Sequence, residues 1–215
     1  MKKLNIIYIF FALLCSSCSL IPAEENIVSN SIISNFEMQQ ENSFSTDIIT
    51  IKSPEAIINN DLGQILIKDT EIIISTDDQD KFIIKANSST YENLSRLINA
   101  SGNIRVSDLN TGTLNLRGEK LLWSLDSETI SLISNVYLNT SSSDISSENA
   151  FINLKSKIIN FPDLNYYKLS LPGTSDSNKV DIDINSDTAT FNDNNSTFTF
   201  KSHNAQVEST ISIYQ

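Results

Sequence analysis

Residues 97–138, LINASGNIRVSDLNTGTLNLRGEKLLWSLDSETISLISNVYL, decide the fold class of this chain. One parity repeats through them: Ile104 and Val106, Leu114 and Leu116, then Ile130, Leu132, Val136 and Leu138. Between these stand Arg105, Asn115, Arg117, Ser131 and Tyr137. Apolar and polar residues alternating with period two give a strand with one dry and one wet face, as in a half-buried antiparallel sheet. The stretch therefore predicts three or four short strands separated by turns, in an all-β protein.

The unit recurs. Gly102-Asn103-Ile104 is echoed by Ser134-Asn135-Val136 at an offset of 32, and the same offset carries Tyr91 onto Trp123. Weaker copies run from Ser147 to Phe161 and from Ser186 to Phe200. A single hairpin cannot bury its dry face, whereas stacked hairpins make a continuous dry surface. Strands are expected at 44–51, 64–75 and 81–87, leading into the central unit. With only 5 Gly and 4 Pro, the turns must be made by Asn, Asp and Ser, which tolerate left-handed backbone and cap turns with their own side chains. The run from Phe161-Pro162 to Pro172-Gly173 interrupts the alternation, since proline cannot donate in a sheet interior. Beyond it the alternation resumes, and Thr210 to Tyr214 reads as a terminal edge strand.

Three segments follow from this reading: a leader at 1–17, a polar linker at 18–43 and one β domain at 44–215. Lys2 and Lys3 precede an apolar run from Leu4 to Leu14, and then Cys15-Ser16-Ser17-Cys18. Small residues before a cysteine after a short apolar run resemble a lipoprotein cleavage site, with Cys18 as the lipidated residue. Cys15 stands where such sites usually carry Leu. The rival is an uncleaved N-terminal helix, although Leu4 to Ile21 is interrupted by polar residues and a span needs roughly 20 apolar ones. Either way the chain is exported and tethered. Both cysteines lie before the β domain, which therefore has no disulfide and holds together by burial alone.

Chemistry is sparsely represented. His203, the single histidine, lies in a polar run and offers no catalytic set by itself. The acidic stretches Asp77-Asp78-Gln79-Asp80 and Asp181-Ile182-Asp183 lack the bend-permitting glycine of a calcium loop. Aspartates alternating with Val180, Ile182 and Ile184 are what the solvent face of a strand looks like. Trp123 sits between Leu121 and Leu125 in strand parity and reads as core or as lining. A net charge of −11 speaks against a nucleic-acid binder, which needs basic clusters. No cofactor, metal site or enzymatic activity is expected.

Ser53-Pro54-Glu55 with Gly63, the strand from Ala86 to Tyr91, Ser101-Gly102-Asn103-Ile104, and Gly118 followed by Leu121-Leu122-Trp123 together resemble the LptC family, across roughly Phe44 to Phe161. That family is the periplasmic bridge component of lipopolysaccharide export, and OstA-like, LptA-type proteins share its strand-and-turn pattern. The resemblance implies an antiparallel folded-over β-jellyroll with a greasy interior. It implies a protein that takes lipopolysaccharide or a related glycolipid from an inner-membrane ABC transporter and passes it to a soluble periplasmic jellyroll docked edge to edge. It places the chain in the periplasm, anchored most simply to the inner membrane by Cys18 or by the uncleaved helix. The trough would be lined by Phe82, Ile84, Ile104, Val106, Leu114, Leu116, Leu132, Val136 and Leu138, all of one parity. Those residues fit the core of a closed sandwich equally well. Two other readings stay open: a cargo-free β-solenoid surface lipoprotein or adhesin, and a β-helical polysaccharide-active enzyme.

Overall fold

The computed structural model describes residues 30–42, 46–76, 79–109, 114–140, 143–171, 180–184, 186–202 and 207–212. The leader, Cys18 and His203 lie outside them, as do Asp77 and Asp78. The described chain is all-β, and every pairing in it is antiparallel. Eight long strands follow one another by simple hairpins: β1 Asn30–Glu41, β2 Ile48–Asn59, β3 Gln64–Thr76, β4 Gln79–Glu92, β5 Leu97–Asp108, β6 Asn115–Ser124, β7 Thr129–Asn139 and β8 Ser143–Asn153. Six shorter ones complete the sheet: β9 Ile158–Phe161, β10 Leu164–Leu171, β11 Val180–Ile184, β12 Thr188–Asn192, β13 Thr197–Ser202 and β14 Val207–Ser212.

A crease crosses the long strands near their middles. Left-handed residues mark it on alternate strands: Asn35 in β1, Asp69 in β3, Gly102 and Asn103 in β5, Ser134 and Asn135 in β7. The ladders slip at the same places, between Lys85 and Ser88, Ser101 and Ile104, Arg117 and Lys120, and Ile133 and Val136. These are bulges, which bend a strand and sharpen its twist. Short side chains fasten neighbouring strands along the crease. Asn103 Nδ2 donates to Asn87 Oδ1 at 3.3 Å, Asn135 Nδ2 to Glu119 Oε1 at 2.6 Å, and Asn149 Nδ2 to Asp163 Oδ2 at 3.1 Å. The first two pairs stand at the offset of 32 read from the sequence, so the repeat is a two-strand unit carrying one bulge.

The sheet folds over along this crease into two leaves. The first leaf carries the hairpin turns 60–63, 93–96, 154–157 and 193–196 at its rim, each ending in a left-handed residue: Gly63, Arg96, Lys157 and Ser196. Beyond β8 the hydrogen-bonded sheet divides into two branches, one for each leaf. The C-terminal half of β8 pairs with β9, and the first leaf continues through β12, β13 and β14. Its N-terminal half pairs with β10, and the second leaf ends at β11. Pro162 and Asp163 occupy the crease between β9 and β10, where the ladder is already broken and a missing N–H costs nothing. The sequence interruption at Pro162 is thus a change of leaf, and the residues after it return to strand as β10.

The linker expectation is corrected at its C-terminal end, because residues 30–41 of the segment 18–43 form β1. It reads as polar because an edge strand has little to bury: only Phe36 of β1 is buried, with Met38 packed partly against the core. Thr210 to Ser212, by contrast, do lie in the terminal strand, which pairs among the described residues with β13 alone; Ile213 and Tyr214 of the expected strand lie outside the described residues.

Candidate functional site

The space between the leaves is lined by rows of side chains set by the ladder registers. On the second leaf one row runs Met38, Ile51, Ile72, Ile84, Val106, Leu116, Leu138, Ile145, Tyr167. On the first leaf a facing row runs Ile65, Tyr91, Ile98, Trp123, with Ile152, Ile159, Phe191 and Phe198 farther along. All but Met38 and Ile65 are buried, and the two rows belong to one continuous hydrophobic core. Tyr91 and Trp123, matched by the sequence repeat, flank Ile98 in the same row.

All nine residues read as trough lining, namely Phe82, Ile84, Ile104, Val106, Leu114, Leu116, Leu132, Val136 and Leu138, lie in this core and are buried. Eight belong to the second leaf or the crease, and only Leu132 to the first leaf. The reason is the crease. In β4 the inward set passes from Phe82, Ile84 and Ala86 to Ser89 and Tyr91, and in β6 from Leu116 and Gly118 to Leu121 and Trp123. Each bulge shifts parity by one, so following a single parity loses the first leaf. In β5 and β7 two left-handed residues restore it, and Ala100 and Ile104, or Leu132 and Val136, both face inward. Leu121, Trp123 and Leu125 read as core or lining from their own alternation; the signal left unread is their change of parity after Leu114 and Leu116 within one strand.

At the β14 end the leaves touch. Tyr167 of the second leaf packs edge-on against Phe200 of the first, with centroids 4.5 Å apart, and against Phe198 at 5.3 Å. Phe198 stacks in turn on Phe191 at 4.5 Å. Desolvation raises the Tyr167 pKa above the usual tyrosine value, opposed by the hydrogen bond with Ser143 at 3.2 Å. Nearer β1 the rims are bridged by Arg96, from the 93–96 turn of the first leaf. Its Nη2 donates to the Glu41 carbonyl at 2.6 Å and Nη1 to Gln40 Oε1 at 3.3 Å, both on the second leaf. Its Nε pairs with Asp126 at 2.9 Å, in the next turn along its own rim. The β1 end is less closed. Ile33, the inward neighbour of Ala56, remains 36% exposed.

Among the described residues no three His, Cys, Asp or Glu side chains come together as a metal site. A surface groove of about 460 Å³ at the crease is lined by Asn35, Glu37, Lys52, Pro54, Asp69 and Glu71, among others. Its mixed charges and exposed position give it no constellation for acid–base or nucleophilic chemistry.

No family model matches the chain, and no curated protein matches it. Among solved structures it is similar to LptH from Pseudomonas aeruginosa, the LptA homologous periplasmic component of the conserved lipopolysaccharide transport device. The identity is 10% and the TM-score 0.44, over 68% of this chain and 99% of that one.

Proposed function

We propose that this protein is an exported, membrane-tethered bridge protein that carries lipopolysaccharide or a related glycolipid. It takes the lipid from an inner-membrane ABC transporter and hands it to a soluble periplasmic jellyroll. The observation that carries this reading is the pair of facing apolar rows running from the β1 edge to the far end of the sheet, between two leaves continuous along one crease and held at the opposite side by the Arg96 bridge and the Tyr167 cluster. Parting the leaves, with loss of the Arg96 bridge at the rim, would open a trough lined mainly by apolar side chains, with a few buried hydroxyls such as Ser89 and Ser143. Burial of acyl chains there is worth about 0.8 kcal/mol per CH₂, enough to hold a multi-chain lipid with its phosphates left outside. The acidic surface, a disadvantage for binding phosphates, is then no obstacle. Among the described residues β1 and β14 each pair on one side only, and each would offer a strand for main-chain addition by a partner sheet.

Near-complete burial of the same rows is also what a structural, cargo-free lipoprotein needs, and one experiment separates the two readings. A photo-crosslinking residue is placed in cells at Leu116 or Leu132, facing inward, and at Arg117 or Ser131 on the opposite face. Each variant's melting temperature is checked to confirm folding. The bridge reading expects glycolipid captured from the inward positions only. Equal capture from both faces, or none from folded inward variants, favours the cargo-free protein.

A further inference from the structure

We infer that the corner of the first leaf formed by the 60–63 and 93–96 turns rests on the lipid surface of the membrane that tethers the chain. Leu62 and Leu94, at the tips of these consecutive hairpins, are 65% and 95% exposed, and they stand next to each other on one rim. Two strands separate one hairpin from the next, so the tips lie about 10 Å apart along the rim.

The character of the tips changes along the same rim. The following turns carry Asp126 and Glu128, then Lys155 and Ser156, then Asn194 and Asn195. Only the two tips nearest the N-terminal edge carry an exposed leucine, and that is where the described chain begins. Asn30, the first described residue, pairs with Asn59, the residue preceding the 60–63 turn, so β1 begins at this corner. The 12 residue-to-residue steps from Cys18 to Asn30 can span at most about 40 Å, which keeps the corner within reach of a tethering membrane. An apolar tip sinks about 5–10 Å into the headgroup boundary. With Asp61 and Glu92 beside the tips and a net charge of −11, the surface that fits is zwitterionic, and anionic lipid would repel it.

The inference rests on the tethered reading proposed above and not on the cargo. The full chain, residues 1–29 included, is reconstituted into phosphatidylcholine vesicles with or without bromine on the acyl chains. Trp123, the single tryptophan, is buried and serves as an internal reference that bromine should not quench. Leu62→Trp, Leu94→Trp and Lys155→Trp each add a second indole at an exposed tip. Vesicle flotation is read on the same samples. The expected result is co-flotation of all variants, loss of more than half of the added emission in Leu62→Trp and Leu94→Trp, and none in Lys155→Trp. Co-flotation without quenching overturns the inference while the tether stands, and leaves the tips to a protein partner. Equal quenching of Lys155→Trp overturns it too, because the whole rim would then lie on the membrane. Failure to float removes the tethered reading and this inference together.

Discussion

At Gly102 the backbone φ is +78°, and a Cβ placed there would stand 2.8 Å from Asn87 Nδ2 and 3.1 Å from Asn87 Cβ. An alanine must therefore accept a left-handed backbone and also push aside Asn87, which holds Asn103 across the crease. At Gly63 the φ is +61° but nothing lies within 4 Å of the added carbon. Left-handed strain alone costs about 1–2 kcal/mol. Gly63→Ala should fall at the low end, about 1 kcal/mol, and Gly102→Ala should cost roughly 2 kcal/mol or more, since displacement adds to strain. In a chain of this length each kcal/mol lowers the melting point by about 2–4 °C. Thermal unfolding of the two variants side by side checks the order, and an equal effect would mean that Asn87 yields freely. The sequence carried part of this: Gly102-Asn103 and Ser134-Asn135 were visible as an echo, because left-handed positions select Gly, Asn and Ser. That the echo marks a mid-strand bend and not a hairpin turn was not legible, since the same residue types serve both.

On the scale of the strand, β6 shows how bulges redistribute side chains. Trp123 lies in the interior row and hydrogen-bonds through Nε1 to the Ser127 carbonyl at 3.1 Å, so its one polar atom is satisfied inside the hairpin. Leu122, one residue earlier, faces outward and is 38% exposed. Removing the indole leaves a void that the close-packed rows cannot fill, and Trp123→Ala should cost about 3–5 kcal/mol. Leu122→Ala should change stability by no more than about 0.5 kcal/mol. Chemical denaturation of both variants with a common m-value is the check, and comparable losses would contradict the inward assignment of Trp123. Alternation within each half-strand was plain from the sequence, so the inward residues of β5 and β7 were found. Leu121 and Trp123 read as core or lining on their own parity, but neither they nor Ser89 and Tyr91 were joined to the inward rows, because a parity shift costs only one residue and leaves no compositional trace. β1 escaped for another reason: an edge strand contributes few buried residues, and a polar run with scattered Ile looks like a linker.

For the molecule as a whole, the two leaves are held at one end by aromatic packing that contains a titratable group. Tyr167 is fully buried between Ile145 and Ile184 on its own leaf and meets Phe198 and Phe200 of the other. Its neighbours there are apolar, apart from the Ser143 hydroxyl, so ionisation would place a phenolate in the core. The folded-state pKa is accordingly raised, chiefly by desolvation. The unfolded chain ionises near its ordinary value, about 10, while the folded chain stays protonated to higher pH. Stability due to the neutral phenol is therefore complete below pH about 10 and is lost as pH rises from there towards the folded pKa. Tyr91 shifts the same way through burial, and Tyr137 through its hydrogen bond to Asp144, so the whole protein should weaken in alkali. Tyr167→Phe keeps the ring stacking and removes the proton. Its melting temperature should fall slightly at neutral pH, where about 1 kcal/mol of hydrogen bonding to Ser143 is lost. Above pH about 10 it should fall less steeply than that of the unaltered protein, so the two curves converge or cross. Parallel curves across the alkaline range would show that Tyr167 ionises without separating the leaves, and that the aromatic cluster does not hold this end shut.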